Sequence, residues 1–174
     1  MVGIALGLAL LTGCANHGAS PREDDAEIRQ EFRQDMMDDA LTAEKLLNQT
    51  RRGVDLSQMT LGWFVYDLLS ELSSQDQVLY DHFYQSSGGV EGYLRTTFQN
   101  NPVQEIDRVS DLAKTGYPTR RLAARYALEV LRHVPDSSDP AATREADRRE
   151  LASALATLGT LLQRTADEMG PPRP

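Results

Sequence analysis

The chain has 174 residues, with 26 Asp and Glu against 18 Lys and Arg, for a formal net charge of −8. This length suits one domain, and the acidic balance argues against nucleic acid or an anionic membrane surface as a general partner. A single cysteine excludes an internal disulfide, and three scattered histidines (His17, His82, His133) exclude a zinc site of ordinary composition, so neither metal nor cofactor is expected.

Residues 2–11 form an apolar run that ends in Leu11-Thr12-Gly13-Cys14. The run is far shorter than the ~20 residues a membrane-crossing helix needs and fits a signal-peptide core of ~7–15 residues. An apolar core closed by Leu, small residues and the sole cysteine resembles the lipobox of bacterial lipoproteins. The resemblance implies a signal peptide over 1–13, cleavage before Cys14, and a lipid on its thiol with palmitate among the acyl chains. More than one acyl chain gives firm membrane anchoring. By the same resemblance, Ala15 after the cysteine implies sorting to the outer membrane, on the inner leaflet and facing the periplasm. No Lys or Arg lies between Met1 and Cys14. A basic start is normal for such signals, so the natural start is expected upstream of Met1. The resemblance stops at Cys14.

Residues 14–20 are small and polar and read as the lipidated cysteine and a short tether. A helical domain is expected from 21 to 170. Ser20-Pro21-Arg22-Glu23 supplies an N-cap, a first-turn proline and a capping-box acid. Ile28, Phe32, Met36, Ala40, Ala43 and Leu47 follow at helical spacing, and Gly53 is the stop. From 56 to 72 the residues are apolar almost all round, which predicts a helix buried at the centre of a bundle. Ser74 with Gln77 predicts a capping box opening a short helix through Tyr84, with Gly88-Gly89 closing it. A further short helix is predicted over 90–99.

Val103, Ile106, Val109 and Ala113 predict the next helix, ended by Gly116 and Pro118. Leu122, Tyr126, Val130 and Val134 predict another, ended by Pro135. Asp139-Pro140 reads as an N-cap and first-turn proline. Leu151, Leu155, Leu158, Leu162, Thr165 and Met169 then form a heptad seam on the last helix, before the proline-rich tail at 171–174. The expected fold is all-α, a single bundle of about six or seven helices with a long first and a long last helix.

Candidate chemistry is sparse. His82 beside Asp81 could form a carboxylate-oriented base, but neighbours at i,i+1 point apart on a helix. Asp76 with Asp81 or Glu91 is the best acid pair for a hydrolase, and nothing else supports a catalytic set, so no enzyme is expected. Glu31, Asp35, Asp38 and Asp39 share one side of the first helix, and Arg121, Arg125 and Arg132 form a stripe on the sixth. These seven residues are the candidate docking positions for a protein partner, unless the two sets face each other within the chain. The aromatic residues Trp63, Phe64, Tyr66, Tyr80, Phe83, Tyr84, Tyr93 and Phe98 crowd the middle third. They read as core, or alternatively as the lining of a small-ligand or lipid pocket. The expected function is a lipid-anchored scaffold or accessory protein of an envelope complex.

Overall fold

The computed structural model describes residues 21–85 and 88–170. Cys14, its lipobox, the tether and the tail lie outside the described residues. All the regular elements described are helices: α1 (Pro21–Arg51), α2 (Gln58–Ser74), α3 (Gln77–Tyr84), α4 (Val90–Gly92) continuing into a π-helical segment (Tyr93–Phe98), α5 (Pro102–Leu112), α6 (Pro118–Arg132) and α7 (Ala141–Glu168). This is the expected all-α bundle, with long first and last helices of 31 and 28 residues.

α1 and α7 make the most extensive helix pair. Phe32, Met36, Ala40, Ala43 and Leu47 of α1 are buried, as are Leu151, Leu155, Leu158, Leu162 and Thr165 of α7. The heptad seam therefore closes within one chain. A Cβ on Gly159 would lie 3.8 Å from both the Ala40 carbonyl oxygen and the Ala43 Cβ, so small residues bring the two helices close at mid-length. Arg148, near the start of α7, pairs with Asp55 just beyond α1 at 2.8 Å, which makes the two antiparallel.

α6 packs on the other side of α7. Its Thr119 hydroxyl donates to Glu168 at 2.7 Å, so α6 starts where α7 ends. α2 in turn lies against α6. Arg120 reaches the Gln75 carbonyl at 2.6 Å, which places the end of α2 beside the start of α6. As a result the first turn of α2 lies beside the last turn of α6. The short elements α3 to α5 bridge this pair, α3 resting on α2 and α5 on α6.

Several expectations are corrected. Ile28 is exposed, because the buried face of α1 begins at Phe32. The cap of α3 is Asp76, not Ser74: its carboxylate accepts from the amides of Val78 (3.0 Å) and Leu79 (3.4 Å), while the Ser74 hydroxyl donates back to Glu71. α7 begins after Pro140 with no side-chain cap, so Asp139 does not serve. On α6 the deepest residues are Ala123, Ala124, Ala127, Leu128 and Val130; Leu122, Tyr126 and Val134 are only half-buried. Alanines let α6 approach two neighbours closely, and their small side chains gave too weak a hydrophobic signal to mark that face. Val103 is exposed, and Glu105 takes its place on the inner face of α5.

α2 carries the largest correction. Leu61, Phe64, Val65, Leu68, Leu69 and Leu72 are buried, but Met59 is 71% and Trp63 63% exposed. A helix that reads as apolar on every side has one apolar face left in solvent.

Candidate functional site

That face forms one wall of an open groove of about 640 Å³. The N-cap of α2 is Ser57, whose hydroxyl oxygen accepts from the Thr60 amide at 3.1 Å. The helix then sets Met59, Gly62, Trp63 and Tyr66 along the groove, with Met59 four residues from Trp63 and Trp63 three from Tyr66. Trp63 and Tyr66 meet edge to face, with ring centroids 5.9 Å apart. The opposite wall is the π-helical segment, which contributes Leu94, Arg95 and Phe98. There the Gln99 amide bonds to the Leu94 carbonyl five residues back, at 3.2 Å. Single π turns of this kind are rare and cluster at functional sites. The last turn of α6 closes the groove with Leu131 and Arg132.

Gly62 is the informative residue of the floor. A glycine inside a helix costs about 1 kcal/mol relative to alanine. Its φ is not left-handed, and a Cβ built on it would meet nothing within 4 Å. Neither backbone geometry nor internal packing requires glycine at this position; what its missing side chain leaves open is the groove.

Charge at the groove is carried by two guanidiniums and their partners. Arg95 pairs with Glu91 at 2.6 Å. Glu129 is shared by Arg125 at 3.0 Å and Arg132 at 3.6 Å, with His133 at 3.5 Å. Apolar walls rich in Trp, Tyr, Phe and Met, with arginine at the edge, have the composition of protein-interface centres.

The aromatic set divides. Phe64, Phe83, Tyr93 and Phe98 are core, Tyr66 and Tyr84 are half-buried, and Trp63 and Tyr80 are exposed. The docking candidates divide as well. Arg121 is not a surface residue: its side chain is 5% exposed and pairs with Asp76, itself 1% exposed, at 2.8 Å. It also donates to the carbonyls of Leu112 and Thr115. Gly116 sits against it at φ +69°, where a Cβ would come within 2.8 Å of the Arg121 Nη2. Asp76 is thereby committed to structure and cannot face a substrate with Asp81 or Glu91. Arg125 and Arg132 flank Glu129, so among the described residues the α6 arginines make no ion pair with the acids of α1.

On α1, Glu31 and Asp38 are exposed, and Asp35 and Asp39 are half-buried. Asp39 meets Glu71 of α2. Burial raises the Asp39 carboxyl to about 6, aided by the charges of Asp35, Asp67 and Asp38 and opposed by a hydrogen bond with Glu71. Burial first, then the Asp39 charge and hydrogen bond, raises Glu71 to about 8. Both carboxyls therefore keep their protons to higher pH than isolated carboxyls do. Among the described residues no group of three or more His, Cys, Asp or Glu side chains is arranged to hold a metal ion.

The sequence also hid a buried network around Glu105. The Tyr93 hydroxyl donates to Glu105 Oε2 at 3.1 Å, Arg108 pairs with Oε1, and His82 Nε2 lies 3.6 Å from Oε2. Burial lowers the pKa of His82 and, with the Glu105 charge, raises that of Tyr93. Asp81 accepts from Gln77 and Gln85 through Oδ1, while His82 lies against Glu105. The available signal was Glu105 itself, one position before Ile106 on an apolar stripe. The groove had no signal of its own, because its walls come from three separate segments.

Among the described residues no helix is long and apolar enough to cross a membrane. Compared with known proteins, the chain matches no family model, no curated protein and no solved structure.

Proposed function

We propose that the chain is a lipid-anchored accessory protein of the bacterial envelope, held by Cys14 to the inner leaflet of the outer membrane, and that it docks a protein partner in the Trp63 groove. The observation that carries the docking reading is the exposed pair Met59 and Trp63 facing Leu94 and Phe98 across an open groove. A soluble domain loses solubility by exposing such a pair, which marks interaction surfaces. Hot spots are enriched in Trp, Tyr and Arg, and flexible Met side chains adapt to a partner. The anchor reading is supported by the resemblance of residues 11–14 to a lipobox.

The test is in-cell photo-crosslinking of the chain tagged after Pro174, with the crosslinker in place of Met59 or, as control, in place of exposed Gln163 on α7. One envelope protein captured from position 59 and not from 163 is the expected result. Equal capture from both positions, or none from 59, would overturn the docking reading. Cys14→Ser should move the protein from the membrane to the soluble fraction; unchanged fractionation would overturn the anchor.

A second reading, a small-ligand or lipid carrier, draws on the groove volume, which lies within the ~300–1,000 Å³ typical of ligand pockets. Native mass spectrometry showing a retained lipid or metabolite would favour it.

A further inference from the structure

Resting on that reading of the groove, we propose that its occupant is an amphipathic helix of the partner that crosses α2 at Gly62 and presents a carboxylate to Arg132. The floor of the groove supplies the first argument. Gly62 has an ordinary φ and no neighbour within 4 Å of a Cβ position, so it leaves a side-chain-sized gap open on the groove. A helix laid against α2 needs such a gap, because the separation of two helix axes is set by the side chains at their crossing.

The walls supply the second. Met59 and Trp63 lie one turn apart on α2, and Leu94 and Phe98 stand one turn apart on the π-helical segment. A helix that fills such a groove does so with apolar residues at i, i+3 or i+4, and i+7. A small ligand fits the same walls less well. The groove is open, with Trp63 63% and Met59 71% exposed, whereas small-molecule sites enclose most of their ligand. A helix brings its own polar face to cover what the groove leaves open.

Charge supplies the third. Glu91 neutralises Arg95 at 2.6 Å, but the one carboxylate of Glu129 serves both Arg125 and Arg132. His133 lies against Glu129 at 3.5 Å and Asp147 at 3.9 Å. Arg132 is the farther from Glu129, at 3.6 Å, and is 40% exposed, so it is the guanidinium at the groove edge open to a further carboxylate. The chain as a whole carries −8, so within the groove Arg132 is the point at which a partner carboxylate meets attraction and not repulsion.

Trp63 is the only tryptophan in the chain, so its fluorescence reports the groove directly. The experiment titrates the full chain carrying Cys14→Ser with two synthetic amphipathic helical peptides that share one leucine-rich face. One has glutamate on its polar face, the other lysine; oleate is titrated in parallel. The glutamate peptide should shift Trp63 emission to the blue and saturate, with the lysine peptide about tenfold weaker or more. Arg132→Glu should reverse that order. Gly62→Leu should abolish binding while melting at or above the temperature of the parent, which separates a filled groove from a damaged fold.

Equal binding of the two peptides, or undiminished binding to Gly62→Leu, overturns the proposal. Saturation by oleate where both peptides fail also overturns it and makes the groove a lipid site. If both peptides and oleate fail while a crosslinker at position 59 still captures an envelope protein, docking stands and the helical occupant falls. If that crosslinker captures nothing either, both fall.

Discussion

Removing the Asp76 carboxylate should unfold more of this protein than any surface change of equal size. Asp76 meets Arg121 twice, Oδ2 to Nε at 2.8 Å and Oδ1 to Nη2 at 3.1 Å, with both side chains almost wholly buried. Asp76→Ala leaves a guanidinium in the interior without its counter-charge, which costs about 3–5 kcal/mol. The same Oδ1 caps α3 through the amides of Val78 and Leu79, and losing a cap costs about 1 kcal/mol more. The sum, about 4–6 kcal/mol, is a large part of the ~5–15 kcal/mol that holds a domain together. At roughly 2–4 °C per kcal/mol for a chain of this size, the melting temperature should fall by about 10–20 °C. Arg121→Ala should fall nearly as far, because the Asp76 charge is then the orphan. Asp76→Asn keeps an acceptor for the cap and should lie between. Thermal melts followed by far-ultraviolet circular dichroism at neutral pH measure all three. If Asp76→Ala and Arg121→Ala both melt within about 2 °C of the parent, the buried pair is not formed and Arg121 returns to the surface arginines available for docking.

Two further outcomes follow from the packing. The Asp39 and Glu71 carboxyls are raised to about 6 and about 8 from ordinary values of 3.8 and 4.5. Their contribution is therefore intact near pH 4 and is lost as pH rises through 8, since the unfolded chain gives up these protons first. Unscreened, each unit is worth about 1.4 kcal/mol; screening at a half-exposed pair reduces the total to roughly 2 kcal/mol. Glu71→Gln removes the Glu71 share alone, so it should match the parent near pH 4 and exceed it by roughly 1 kcal/mol at pH 8 in urea melts; parallel curves for the two would refute the raised Glu71 carboxyl. Leu158→Ala, fully buried in the α1–α7 seam, should cost about 2–5 kcal/mol. A loss below 1 kcal/mol in urea unfolding would mean that the two long helices are not held by this seam.

The periodicity of α1 and α7 made the fold class and both long helices legible, because one wide apolar stripe on a long helix admits few partners. Leu151, Leu155, Leu158 and Leu162 are spaced for one neighbouring helix, and α1 is that neighbour. Helix stops were legible where a glycine takes a left-handed φ, as at Gly53 (+78°) and Gly116 (+69°).

Which apolar residues stay in water was decided only by tertiary structure. On α2 the sequence offers more apolar faces than α6 and α3 can cover, so Met59 and Trp63 remain exposed, and nothing local distinguishes them from Leu61 or Val65. Long-range pairing has the same character. The partner of Arg121 is Asp76, 45 residues away in sequence, and that of Tyr93 is Glu105 on the next helix. Charge spacing along one helix had suggested a single arginine stripe. Burial instead consumed Arg121 and left Arg132 at the edge of a groove, because the depth of a residue is a property of the helices around it and not of its own.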